Sequence, residues 1–183
     1  MNNLQLHKAP YLSAELSFLE ALAEGFTPGE ESPFSLAVMQ AIGSDVKAYY
    51  ESRIDLSKPI TLRNGEVVPK IGQKEFWLVE NDDTFIGQIS LRVSELPDHL
   101  LEMGGHIGYS IRPAVRGKGY ATKMLGLLLQ KIDKQEYPNI LITCNEGNIA
   151  SAKVIEKNGG ILQDIIDTEY SPKHKMCRYH VKL

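Results

Sequence analysis

The sequence predicts an α/β fold with a mixed sheet, on three observations. Apolar residues recur every three or four positions through the first 52 residues, the period drops to two between residues 76 and 93, and strand and helix patterns alternate after that. A length of 183 residues, 43% of them apolar and 23% charged, is ordinary globular composition and predicts a single domain spanning residues 1–183.

Leu16, Leu19, Leu22 and Ala23 predict a first helix behind Ser13, with Gly25 where its C-terminus should stop. The Thr-Pro-Gly and Ser-Pro steps between Thr27 and Pro33 predict a loop. Phe34, Val38, Ala41, Ile42 and residues 46–49 then predict a second amphipathic helix, weakened in its middle by Gly43. Arg53 to Gln73 shows neither period; a loop this long points to a lid, a binding loop or a hidden hairpin turning at Asn64-Gly65. Phe76, Leu78 and Glu80 alternate with Trp77 and Val79, Asn81-Asp82-Asp83 makes a turn, and residues 85–93 return as the second arm of an antiparallel hairpin.

After a loop at Pro97, His106 to Arg112 predicts a third strand that Pro113 ends, because proline lacks a ladder donor. Ala121 to Lys134 predicts a helix with Met124, Leu125, Leu128, Leu129 and Ile132 on one side. Ile140 to Cys144 is a short apolar strand, and the helix before it lets it lie parallel to His106–Arg112 through a right-handed crossover. Asn148 opens another helix that Gly159-Gly160 stops, and one or two strands fill Ile161 to Lys182.

Several function classes are disfavoured. Twenty Lys and Arg against 23 Asp and Glu leave a net charge of −3, so no global field draws nucleic acid or anionic lipid. The longest apolar run, Met124 to Leu129, falls far short of the ~20 residues a membrane span needs. Residues 1–8 lack a leader pattern, which makes a cytoplasmic location the expectation. Cys144 and Cys177 stand far apart without CxxC or nearby His spacing, so they read as reduced thiols and no metal site is expected.

The chemistry concentrates in Arg116-Gly117-Lys118-Gly119-Tyr120-Ala121-Thr122, between a strand and a helix. Two glycines let backbone approach a ligand, and the first-turn N–H groups of a helix have no intrahelical partner. With the helix dipole and two basic side chains, a phosphate or pyrophosphate is the natural guest; a glycine-rich turn with two solvated cations is the plainer alternative. The GxxxxGK[ST] spacing is absent, and GxGxxG fails at Thr122.

Residues 116–121 fit [RQ]xxGx[GA], the signature of the GNAT superfamily of acyl-coenzyme A dependent N-acetyltransferases. Residues 108–113 (GYSIRP) resemble that family's fourth strand, and residues 145–160 (NEGNIASAKVIEKNGG) its fifth-strand exit and following helix. With GGHIGYSIRP at 104–113, RGKGYAT at 116–122 and NGG at 158–160, the chain resembles a bacterial subgroup of that family whose acceptors are poorly defined. The resemblance implies a mixed central sheet with splayed parallel fourth and fifth strands and helices on both faces. It implies an acetyl-CoA core over residues 74–183 and an acceptor-side region over 1–73.

By the same resemblance, backbone at Ile111 holds pantetheine and the acetyl group, Arg116, Gly117, Lys118, Gly119, Tyr120, Ala121 and Thr122 hold the pyrophosphate, and Asn148 and Ser151 face the pantetheine arm. Asn148 suits a helix N-cap equally well. Many members place a Tyr near the coenzyme sulfur to protonate the departing thiolate; Ile155 stands there in this chain.

The implied reaction is direct attack of a primary amine on the thioester of acetyl-CoA, a cosubstrate, with backbone N–H groups stabilising the oxyanion. For an amine of pKa ~10.4, reaching the neutral form at pH 7 costs about 4.6 kcal/mol, so a base or water relay is expected. His106 and, more weakly, Glu102 are the candidates, with an ordinary surface role as the alternative for each. A noncatalytic acyl-CoA-binding regulatory domain is the competing function, and a plain nucleotide-phosphate binder is a third. The expected partners are acetyl-CoA and an unidentified amine, and a homodimer accords with the family.

Overall fold

We describe a computed structural model of the chain over residues 3–28, 34–62, 64–171 and 173–183. In chain order it forms β1 (Leu4–Lys8), α1 (Glu15–Ala23), α2 (Leu36–Ser44), α3 (Val46–Ile54), β2 (Ile60–Thr61), β3 (Val67–Val68), β4 (Gln73–Glu80), β5 (Thr84–Arg92), α4 (Asp98–Glu102), β6 (Ile107–Ile111), α5 (Tyr120–Leu129), β7 (Asn139–Asn145), α6 (Ile149–Lys157), β8 (Ile161–Ile166) and β9 (Met176–Lys182). These gather into two compact units, one drawn from residues 1–55, 74–90 and 109–127, the other from 56–73, 91–108 and 128–183.

The first unit opens on a strand where the apolar period predicts helix. β1 pairs antiparallel with β4, Leu6 opposite Leu78 and Lys8 opposite Phe76. Leu4 and Leu6 do alternate with Gln5 and His7, but five residues carry little periodic signal, and β4 supplies the hydrogen bonds that decide it. The sheet runs β1-β4-β5-β6, and the β4–β5 turn takes Asn81 and Asp82 through φ of 53° and 69°, as a tight hairpin requires.

Helix α1 forms where predicted and ends before Gly25, at φ +89°. Its buried face is rotated from the predicted one: Phe18, Ala21 and Leu22 point inward, and Leu16 is 79% exposed. Phe18 decides this, because its ring stacks on Trp77 at 4.6 Å and meets Phe26 and Phe85 edge-on. The predicted second helix is two. Asp45 interrupts it with φ −158°, and its carboxylate accepts the Ala48 amide at 2.8 Å, capping α3. The Thr27–Pro33 loop lies outside the described residues from Gly29 onward.

Helix α3 carries polar groups into this core, and each finds a partner. Trp77 Nε1 donates to Tyr50 Oη at 2.7 Å, and Tyr50 donates to Gln88. Arg53, expected at the start of a loop, sits in the last turn of α3 and grips the buried Glu75 carboxylate through Nε at 2.9 and 3.0 Å. Pairing makes such a burial tolerable; truncating one partner would strand the other charge.

In the second unit, β2 and β3 form the hairpin suggested by Asn64-Gly65, with Gly65 at φ +89°. A short helix, α4, replaces the loop expected after Pro97. β9 is the middle strand of an antiparallel sheet, β7-β9-β8, with Ile140 opposite Val181 and Cys144 opposite Cys177. α5, which belongs to the first unit up to Leu127, ends at Leu129, short of the predicted Lys134, and Met124, Leu125 and Leu128 on its apolar side are buried. Among the described residues, no helix is long and apolar enough to cross a membrane.

Candidate active site

The signature loop is shaped by the end of β6. Arg112 N donates to Ile86 O at 2.9 Å, so strand alternation turns the peptide groups of Ile111 toward the opposite edge of β6. There the Ile111 carbonyl accepts Arg116 Nε at 3.0 Å. The Ile111 N–H shares that edge. A one-turn 3₁₀ segment, Pro113–Val115, carries the chain into the loop.

Gly117 and Gly119 adopt φ of +77° and +82°, where a side chain is costly, and a Cβ at either would meet nothing within 4 Å. The backbone is therefore bent and uncovered at both. Lys123 N makes the first turn's bond, to Gly119 O at 3.2 Å, at the start of α5, and the amides of Tyr120 and Ala121 stand before it. Lys118 is exposed beside them. Tyr120 donates its hydroxyl to Glu80 Oε1 at 2.9 Å, which ties the helix start to β4.

His106 is 7% exposed, and backbone engages both ring nitrogens. Nδ1 accepts the Leu141 amide at 2.8 Å, and Nε2 lies 3.2 Å from Ser94 O, which fixes the Nε2–H tautomer. Burial pushes its pKa below the ordinary 6.5, against the two backbone contacts, so the ring is neutral at pH 7. The lone pair a base would use is the one Leu141 occupies. Glu102, half-buried at the end of α4, accepts the Thr168 hydroxyl at 2.6 Å.

Asn148 caps α6, its Oδ1 accepting Ser151 N at 3.0 Å. That bond uses the oxygen and leaves the NH₂ end out of the cap. The Ser151 hydroxyl bonds the Cys144 thiol, which burial pushes up to about 11. Ile155 is fully buried, a core residue of α6.

A family model described as an acetyltransferase (GNAT) domain matches residues 44–161. The chain belongs to the GNAT acetyltransferase family. No curated protein matches it in sequence. The GNAT fold is shared with an acetyltransferase from Bacillus anthracis, at 15% identity and TM-score 0.62 over 100% of this chain and 98% of that one. A spermidine N-acetyltransferase chimera from Vibrio cholerae and hSSAT gives 15% and 0.61 over 98% and 95%. The yncA protein of Salmonella typhimurium, whose structure holds its cofactor acetyl-CoA, gives 13% and 0.58 over 98% and 93%.

Within this GNAT chain, the fold brings Ile111, Arg116 and the 117–122 backbone together in one unit, and Asn148, Ser151, Glu102 and His106 belong to the other. Sequence reasoning missed three contacts that fix these residues. Leu141 on His106 is one, Glu80 on Tyr120 is the second, and Arg112 on α1 is the third. Cross-element hydrogen bonds leave no periodic trace; only the placement of Arg112 just before Pro113, at a strand end, hinted at a fixed position.

Proposed function

We propose that the protein is an N-acetyltransferase that moves acetyl from acetyl-CoA to a primary amine by direct attack in a ternary complex. The observation that carries this is the loop itself: two left-handed glycines with open space above them, leading into the first-turn amides of α5. That is a cradle for a diphosphate, and the uncovered backbone fits the coenzyme's need for close approach. We assign Gly117–Thr122 to the pyrophosphate, with Lys118 adding charge, and the Ile111 N–H to the acyl carbonyl. Asn148 and Ser151 on the pantetheine arm belong to the same proposal and rest on the motif alone.

In this reading the amine nitrogen attacks the thioester carbon, the oxyanion is met by peptide N–H, the C–S bond breaks, and the thiolate takes a proton to leave as coenzyme A. The amine must first lose a proton. Glu102 or a water relay is the less encumbered route, since His106 would have to give up its bond to the Leu141 amide. Acetyl-CoA in the yncA structure and the name of the chimera from Vibrio cholerae and hSSAT, a spermidine N-acetyltransferase, support the donor and the amine class.

The second reading, acyl-CoA binding without turnover, draws on Ile155, buried where many relatives carry a proton-donating Tyr. Calorimetry with acetyl-CoA followed by an amine panel, scored by release of free thiol, decides between them. Binding with thiol release for at least one amine is expected. Tight binding with no release across polyamines, amino acids, aminoglycosides and peptide N-termini would favour the second, and no binding would defeat both.

A further inference from the structure

We infer that Arg112 is a positioning residue for the 116–122 loop, which it holds by fastening the end of β6 to helix α1. The inference rests on the reading of that loop as the coenzyme site. Ser17 and Glu20 of α1 and Glu24, the residue that caps its C-terminus, converge on a single guanidinium. Nε lies 3.0 and 2.9 Å from the two Glu24 oxygens, NH2 bonds Glu24 Oε1 and, at 3.2 Å, Glu20 Oε2, and NH1 bonds Ser17 Oγ at 2.8 Å. The side chain is 12% exposed, and the fork geometry is one that lysine cannot reproduce.

The latch reaches the loop through a short run of backbone. Val115 N bonds Arg112 O at 3.1 Å, Arg116 N bonds Pro113 O at 3.3 Å, and the Arg116 side chain returns to Ile111. At the other end, Tyr120 is tied to Glu80. The flexible glycines thus hang between two anchors, one on α1 and one on β4. Arg112 itself carries no surplus charge to the phosphate, because two carboxylates face its one cation. Its contribution is geometric.

This makes a test in which position and charge predict opposite signs. Glu20→Gln with Glu24→Gln removes two negative charges near a proposed anion site, so electrostatics alone predicts tighter coenzyme A binding. Positioning predicts the reverse, weaker by about tenfold, the scale of one lost charge-assisted hydrogen bond. We expect calorimetry with coenzyme A on the full chain to show that weakening, and Arg112→Lys to keep more affinity than Arg112→Ala. Amide exchange over residues 113–123 should quicken in each ligand-free variant, with β7 and β9 unchanged. Unchanged or tighter binding in the folded double Gln variant, with unchanged exchange in 113–123, would overturn the inference. Wild-type protein that fails to bind coenzyme A would instead defeat the coenzyme reading, and the exchange comparison would still decide whether Arg112 holds the loop.

Discussion

His106 and Leu141 exchange two hydrogen bonds: the His106 amide donates to the Leu141 carbonyl at 2.7 Å, and the Leu141 amide donates to the His106 imidazole at 2.8 Å. An imidazole nitrogen stands where a second backbone carbonyl would complete an ordinary ladder. The approach is close enough that a Cβ on Gly105 would lie 2.5 Å from Leu141 O, and Gly105 has φ +61°.

Replacing His106 with Leu should therefore strand a buried amide, at a cost of about 1–3 kcal/mol. His106→Asn, whose side-chain oxygen reaches about as far as Nδ1, should recover part of it. Urea denaturation of the three proteins checks this; a Leu variant as stable as wild type would remove the strut role.

The same residue predicts a pH dependence. Its folded pKa is lowered, so below about pH 6.5 the unfolded chain takes up a proton that the folded chain resists. Its contribution is full above 6.5 and declines as pH falls through the window down to the folded value. Unfolding midpoints measured from pH 7.5 to 5 should drop for wild type more steeply than for His106→Asn.

Glu24 acts at lower pH. Its hydrogen bonds from Arg112 hold its pKa below 4.5, so the latch is complete above that value and weakens as pH falls through the folded pKa. Protection factors over residues 113–123, taken relative to the intrinsic exchange rate at each pH, should fall below about pH 4.5 in wild type and be less pH-sensitive in Glu24→Gln.

Gly119→Val should leave a folded protein, destabilised by about 1–2 kcal/mol for its left-handed backbone. Coenzyme A affinity should fall by about two orders of magnitude, because the new side chain enters the open space above the loop. Wild-type affinity in the folded variant would displace the coenzyme from this loop.

Cys144 should resist alkylation. With its thiol pushed up to about 11 by burial, roughly one molecule in a thousand is thiolate at pH 8, and Cys177 shifts the same way. Iodoacetamide should label neither cysteine in native protein and both in denaturant, read by mass spectrometry.

The β4–β5 hairpin, β6, α6 and the glycine loop were legible in sequence because local rules decide them: alternation, an Asn-Asp-Asp turn, an Asn cap, a Gly-Gly stop. What sequence hid was set from outside each segment. β1 exists because β4 is beside it, the buried face of α1 turns on the Phe18–Trp77 stack, and α2 and α3 part at an Asp whose cap is local but whose apolar neighbours mimic one continuous helix. The loop residues were found from a motif; the contacts that hold them, Arg112 on Glu24 and Tyr120 on Glu80, join residues far apart in the chain.

Arg116 meets Ile111 through Nε, the nitrogen bonded to Cδ, and not through the tips of its guanidinium. Glutamine also carries an N–H donor bonded to Cδ, whereas lysine has a methylene there. The signature's tolerance of Arg or Gln thus has a stereochemical root: what position 116 must deliver is a hydrogen at a fixed reach, and an uncharged amide can deliver it where a full ammonium cannot.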